Sequence, residues 1–177
     1  TVTWIGGSGD WNIAANCNSA PALPGPDDDV VIDVPDLATV THASGNHTVR
    51  SIVCQEAFTL SGGSLTASNT MQIGSALTLS GGTLRNTTVI QGANGQGVVV
   101  ATTSGGTLDG VTVNAPVEMS ANGSGLSVVN GLVLNSVITV GSSTGFGRLF
   151  FTGNQSLTGT GQSVLNKIGR ASCREKV

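Results

Sequence analysis

The chain has 177 residues, of which only 10% are charged and 3% aromatic, and it contains 26 glycines. Its formal net charge of −3 argues against the basic surface that nucleic-acid binding requires. The sequence is rich in Val, Leu, Ile and Thr and lacks long Ala- and Glu-rich stretches, which excludes a helical bundle and favours β-strands. The charge is too low for charge-driven disorder, and no apolar run is long enough to span a membrane.

The first 37 residues differ from the rest and contain both tryptophans, Trp4 and Trp11. A rigid turn rich in proline and aspartate occupies residues 23–29, and Val30–Val34 has the composition of a strand. The end of a stack of repeats exposes a sheet edge and the core, so such a stack needs an atypical terminal unit. We predict that residues 1–37 form an N-terminal cap in which the indole rings close the core.

Internal repetition dominates residues 38–167. The segment Phe58–Leu65 returns 19 residues later as Leu77–Leu84, and both contain Leu-Ser-Gly-Gly. Its core recurs at residues 103–108 and is echoed at 124–128. A unit of about 20 residues, made of short strands and a Ser-Gly-Gly turn, cannot bury its apolar face alone, but stacked units form a continuous core. The repeat therefore predicts an all-β fold, a right-handed parallel β-helix (solenoid) whose coils span residues 38–167.

Sandwiches and up-and-down barrels are the competing folds. The dipeptides Asp109-Gly110, Asn122-Gly123 and Asn130-Gly131 are typical of hairpins in such proteins. The return of a whole strand–turn–strand unit after 19 residues favours the solenoid instead.

The last ten residues, 168–177, break the pattern. They hold three of the seven lysines and arginines and one of the three cysteines. The string resembles the translation of a common sequencing adapter, so we predict a non-native tail and exclude it from the fold. The alternative is a genuine basic tail. On the first interpretation the native repeats are cut near Lys167 and continue further in the parent protein.

Several strings in the cap resemble a module that opens β-helical segments in very large bacterial surface proteins. These strings are Trp4-Ile5-Gly6-Gly7, Gly9-Asp10-Trp11, Ala14-Ala15-Asn16, Pro24-Gly25 and Asp28-Asp29-Val30-Val31-Ile32. The Ser-Gly-Gly-Thr-Leu units are similar too, and over residues 1–167 the chain resembles the β-helices of filamentous haemagglutinin and autotransporter passengers. Cys17 departs from the pattern, which has Trp there. The resemblance implies a secreted or cell-surface protein with a structural or adhesive role.

Two loops contain the oxygen ligands that Ca²⁺ prefers. Asp27–Asp29 is the densest acidic run, but no later Glu completes an EF-hand. Gly6–Asp10 approaches a Ca²⁺-binding nonapeptide, but it occurs once, whereas such repeats bind by stacking. Solvated turns explain both loops, and we predict no metal ion and no cofactor, with calcium at Asp27–Asp29 left as an open alternative.

His42 and His47 flank the turn at residues 44–46. Their rings approach each other if the flanking strands are adjacent, but two imidazoles without a third ligand make a poor metal site. We therefore expect polar histidines at the surface.

Without the tail, two cysteines remain, Cys17 and Cys54. They form one disulfide in an oxidising compartment or stay two small buried thiols. Neither has a CxxC partner, so zinc is not indicated.

Carbohydrate hydrolysis on a β-helix needs clustered carboxylates on one face. Between residues 57 and 167 the only acids are Asp109 and Glu118, and their spacing predicts different sides of a coil. Arg85 and Arg148 are isolated in the sequence. We predict no catalytic residue and no enzymatic activity.

Carbohydrate binding usually requires exposed aromatic rings on which sugars stack. The chain has only two Trp, four Phe and no Tyr, and capping or core packing explains most of them. Phe150 and Phe151 point to opposite faces if both lie in one strand, so one of them is expected to be exposed.

We expect a structural or adhesive module of a large extracellular bacterial repeat protein, acting as a rigid spacer or an adhesion surface. It is expected to be secreted or to lie at the cell surface. Its expected partners are cell-surface glycans, matrix proteins and neighbouring domains of the same parent chain, and neither nucleic acid nor a membrane span is expected. The alternative is a carbohydrate-active or carbohydrate-binding β-helix whose site lies outside this fragment.

Overall fold

A computed structural model describes residues 1–166 and the backbone of residues 170–173. It confirms an all-β parallel solenoid of about seven turns. The 3-10 turn Ala14–Asn16 is the helical element of this part, in which no helix could cross a membrane. The strands in chain order are β1 Val2–Thr3, β2 Gly9–Asp10, β3 Asp29–Ile32, β4 Thr39–His42, β5 Asn46–Val49, β6 Ser51–Cys54, β7 Ala57–Leu60, β8 Ser64–Ala67, β9 Thr70–Ile73, β10 Ala76–Leu79, β11 Thr83–Arg85, β12 Thr88–Gln91, β13 Val98–Ala101, β14 Thr107–Asn114, β15 Val117–Met119, β16 Ser124–Leu134, β17 Val137–Val140, β18 Gly147–Phe151, β19 Leu157–Thr158, β20 Gln162–Leu165 and β21 Arg170–Cys173.

The strands form three faces, which the chain visits in rotation. Face 1 is the eight-stranded sheet β2-β4-β7-β10-β13-β15-β17-β20. Face 2 stacks β5, β8, β11, the first halves of β14 and β16, then β18 and β21. Face 3 stacks β1, β3, β6, β9, β12, the second halves of β14 and β16, then β19. Faces 2 and 3 belong to one thirteen-stranded sheet because β14 and β16 run through both.

The pairing register follows the sequence repeat. Phe58 pairs with Leu77 on face 1, and Leu65 pairs with Leu84 on face 2, each at the predicted offset of 19 residues. Leu84 then pairs with Leu108, the equivalent leucine of the next repeat. Equivalent residues stack because the same alternation of apolar and polar residues must face the core in every coil.

The core is a narrow column between the three faces. On face 1 its inward positions are fully buried and in register from coil to coil: Val40, Phe58, Leu77, Val99, Val117 and Ile138. Burying each such side chain contributes about 1.5–3 kcal/mol. The same alternation places mostly threonine, alanine and valine on the outer side of this face.

The Ser-Gly-Gly turns have a steric reason. Gly63 has φ +64°, a left-handed conformation that L side chains rarely adopt. A Cβ at Gly62 would overlap the carbonyl oxygen of Ala43, and a Cβ at Gly63 would overlap that of Gly45. Glycine is therefore needed where the turns of successive coils press against each other.

The N-terminal segment contains both a first coil, formed by β1, β2 and β3, and a cover over that coil, formed by residues 11–28. Within residues 1–37, β1, β2 and β3 already pair with the stack, so the solenoid begins inside the segment for which we predicted a cap. Residues 11–28 replace the face 2 strand of this coil. Trp4 and Trp11 are both buried, and the Trp4 indole Nε1–H donates to the carbonyl oxygen of Gly7 at 3.0 Å.

The tail pairs with the sheet over part of its length. Residues 170–173 form β21, which lies parallel to β18. The rest of the predicted non-native tail, residues 168–169 and 174–177, lies outside the described residues.

Candidate functional site

The prediction of surface histidines is wrong for His42, which is completely buried. Its Nδ1–H donates to the carbonyl oxygen of Gly62 at 2.9 Å, and its Nε2 lies 2.9 Å from Nδ1 of His47. Both rings lie against Trp11, with ring centroids 6.3 and 6.5 Å away. His42 ends β4 and His47 lies in β5, so the two strands belong to consecutive faces and are not adjacent in a sheet.

The acidic and glycine-rich loops are held by local contacts. Asp28 accepts a hydrogen bond from the Gly25 amide at 2.9 Å. Asp29 forms an ion pair with Arg50 and accepts from the Ser51 hydroxyl at 2.6 Å, and these partners hold the pKa of its carboxyl below the usual range. Asp10 accepts a hydrogen bond from the backbone N–H of Asn12 at 2.7 Å. Within residues 1–166, no three His, Cys, Asp or Glu side chains come together as metal ligands do.

Asp109 and Glu118 lie on different faces, as their spacing predicted. Glu118 lies on β15 of face 1, and Asp109 lies on the face 2 part of β14, where it is 8% exposed. Arg85 is not isolated as we expected, because its Nε–H donates to Asp109 Oδ2 at 2.7 Å. Asn130 donates to the other carboxylate oxygen at 2.6 Å. Sequence distance hid this contact, since the three residues meet only through coil stacking.

The sequence left open whether Cys17 and Cys54 form a disulfide or stay two small buried thiols. In the structure they are two separate buried thiols. Burial raises the pKa of Cys17, and it raises the pKa of Cys54 to about 12. The Cys54 thiol donates to the carbonyl oxygen of Glu56 at 3.2 Å. Cys17 faces Trp4 across an isolated antiparallel bridge in the cover of the first coil.

The exposed aromatic residue is Phe150. Its side chain is 40% exposed on the outer side of β18, whereas Phe151 packs against the core, so the prediction of one exposed ring is confirmed. Trp4, Trp11 and Phe58 are buried.

A groove of about 300 Å³ opens beside Phe150 on face 2 and crosses four successive coils. Its lining is polar or lacks side chains, apart from the phenyl ring. It comprises the hydroxyl residues Thr103, Ser104, Thr107 and Ser127, the glycines Gly81, Gly105, Gly106, Gly123 and Gly125, and Arg148 and Phe150.

Strand register orders the groove. Thr107, Ser127 and Phe150 are paired neighbours on three consecutive strands, so two hydroxyls and a ring form one row across the coils. Gly125 pairs with Arg148 in the adjacent row. A Cβ added to Gly125 would lie 3.8 Å from the Arg148 carbonyl oxygen and 4.0 Å from the Phe150 ring. Because Gly125 has no side chain, the surface beside the Phe150 ring stays open.

Arg148 is held by an aromatic contact. Its guanidinium carbon lies 4.5 Å from the centroid of the Phe146 ring, a cation–π arrangement. Sequence reasoning missed this contact, although alternation contained the signal. Residues 146, 148 and 150 are spaced by two, so in an extended segment all three side chains project from one side of the sheet.

Comparisons of the chain with protein-family models, with curated proteins and with solved structures found no match. The likeness to filamentous haemagglutinin and autotransporter passengers stays a prediction from the residues quoted above.

Proposed function

We propose that this chain is a rigid, extracellular adhesive module that binds carbohydrate through the groove on face 2. The observation that carries the proposal is the exposed Phe150 ring in register with the hydroxyls of Ser127 and Thr107. Ligand sites commonly combine an apolar surface with a few placed polar groups. A sugar has both apolar C–H faces and hydroxyl groups. It therefore suits a groove with an aromatic ring, hydroxyl side chains and glycines that leave space for a ligand.

The solenoid supplies the rigid support. From β4 to β19 each coil is bonded to the next on three faces, and one buried column runs through the stack. With strands about 4.8 Å apart, seven turns give a rod of roughly 34 Å. We propose that such a rod, at the cell surface or secreted, also spaces neighbouring domains of its parent chain.

We propose binding without catalysis because of where the carboxylates lie. Asp109 lies on β14 two residues beyond Thr107, and its carboxylate is occupied by Arg85 and Asn130. Glu118 lies on another face. A pair of carboxylates across one sugar, which glycoside hydrolysis needs, is not present among the residues that line the groove.

The test is a glycan array probed with the full chain and two variants. Phe150→Ala removes the ring from the groove, and Val137→Ala is a matched control, because Val137 is 39% exposed on face 1. We expect Phe150→Ala to weaken glycan binding about fivefold, the size of one aromatic contact, and Val137→Ala to leave it unchanged.

Two results would contradict the proposal. One is a full chain that retains no glycan. The other is an equal loss of binding in both variants. Release of cleaved product from any polysaccharide would argue for the enzymatic alternative.

A further inference from the structure

Arg148 is the charged residue among those that line the groove. The two other arginines with described side chains are both paired, Arg50 with Asp29 and Arg85 with Asp109. Arg148 forms no ion pair and no side-chain hydrogen bond with the described residues, and its side chain is exposed. A guanidinium has five N–H donors, so this group is available to a ligand.

The contact with Phe146 holds the guanidinium against an aromatic ring. None of the N–H donors is used in that contact, and a guanidinium binds a carboxylate through two parallel hydrogen bonds. Lysine in the same place would provide only a point charge. An arginine with unused N–H donors beside an open groove is therefore suited to a carboxylate.

Phe150 lies two residues beyond Arg148 on the same strand, so the two Cα atoms are about 6.6 Å apart. Both side chains therefore leave the outer surface of β18, and both line the groove. A uronic acid matches both, because its carboxylate is attached directly to a sugar ring whose C–H face can stack on a phenyl ring. We propose that the groove selects anionic saccharides of the uronic-acid class, with the sugar carboxylate on Arg148 and the sugar ring on Phe150.

This inference rests on the proposed glycan binding and specifies its ligand. An acidic peptide would also pair with Arg148, but the hydroxyl residues Thr107 and Ser127, which line the same groove, favour a ligand rich in hydroxyls. A sulfate can also accept two parallel hydrogen bonds from a guanidinium, so a sulfated sugar is the competing ligand that the experiment includes.

The experiment measures the affinity of the full chain for oligogalacturonate and for its methyl ester, which keeps the sugars and removes the charge. Arg148→Gln removes the cation, and Arg148→Lys keeps the charge but loses the parallel N–H donors of the guanidinium. Arg50→Gln removes a cation outside the groove. We expect oligogalacturonate to bind at least tenfold more tightly than the ester. Arg148→Gln should abolish that preference, Arg148→Lys should reduce it, and Arg50→Gln should change it less than twofold.

A second variant tests the groove without changing its charge. Gly125→Val places a side chain on the open surface beside Phe150. The fold should be retained, because a Cβ there meets only ordinary contacts. We expect weaker binding of both the acid and the ester. Thermal unfolding of each variant checks that the fold is intact.

The outcomes separate the inference from the proposed function. Equal binding of acid and ester, lost in Phe150→Ala, would overturn the inference and leave glycan binding in place. Tighter binding of a sulfated oligosaccharide or an acidic peptide than of oligogalacturonate would also overturn it. Failure of every saccharide to bind would remove both.

Discussion

His42 Nε2 and His47 Nδ1 lie 2.9 Å apart in a cluster beneath Trp11. A carbonyl oxygen can only accept, so the bond to Gly62 fixes the proton of neutral His42 on Nδ1. His42 Nε2 is then the acceptor, and His47 Nδ1–H is the donor. The pair connects the cover of the first coil with the turn of a following coil.

The histidine pair predicts a loss of stability in mild acid. Burial, and then electrostatic repulsion between the two neighbouring imidazoles, lower the pKa of His47 below its ordinary value of 6.5, while Asp10 partly opposes this. The native state therefore binds fewer protons than the unfolded state. We expect the free energy of unfolding to be highest above about pH 6.5 and to fall as the pH drops through the lowered pKa, measured by urea unfolding between pH 8 and pH 5.

The control for this prediction is His47→Asn. The asparagine Nδ2–H can replace the Nδ1–H donor toward His42 but does not titrate. A variant whose stability depends on pH as steeply as the parent chain would show that the acid sensitivity arises elsewhere.

The ion pair of Arg85 with Asp109 predicts a stability difference between two arginine variants. Asp109 is 8% exposed, so Arg85→Met leaves a nearly buried carboxylate with Asn130 as its remaining described partner. Because Arg85 itself is half exposed, we expect a loss of about 1–2 kcal/mol, less than a fully buried pair would give. Arg50→Met breaks the more exposed pair with Asp29 and should cost less in the same urea titration. Equal losses would contradict this account.

The tight turns predict that Gly63 cannot be replaced. Gly63→Ala would combine a strained φ of +64° with overlap on the Gly45 carbonyl oxygen, and we expect a loss of at least about 1 kcal/mol. Gly7→Ala is the matched control, because nothing lies within 4 Å of a Cβ there, and it should change stability by less than about 0.5 kcal/mol. Thermal and urea unfolding of both variants decide the question, and a stable Gly63→Ala protein would refute it.

The buried thiols predict slow alkylation. The thiolate is the reactive form, and burial raises the pKa of both Cys17 and Cys54, the latter to about 12. We expect iodoacetamide at pH 8 to leave both unlabelled in the native chain and to label both in urea, as scored by peptide mass mapping. A Cys17–Cys54 disulfide-linked peptide in the unreduced digest would contradict the structure.

Much of the fold could be predicted from the sequence, for a simple reason. In a solenoid the neighbour of a residue is its counterpart one coil away, so repetition in sequence becomes pairing in space. Phe58 pairs with Leu77, and Leu84 with Leu108, at the offsets that the repeats had indicated. The exposed ring of the candidate site could be predicted as well, because adjacent residues in a strand point to opposite faces.

What the sequence by itself determined was therefore the solenoid, its register and the alternation of buried and exposed residues. Only the tertiary structure decided the environment of the polar groups. His42 is buried because Trp11 and Gly62, distant in sequence, come together around it. Successive coils differ in length, and these lengths set which positions align. Only for this reason does Arg85 meet Asp109, and does Gly125 lie beside the Phe150 ring. Alternation specifies which side of a strand a residue occupies, whereas its partners depend on the coils above and below it.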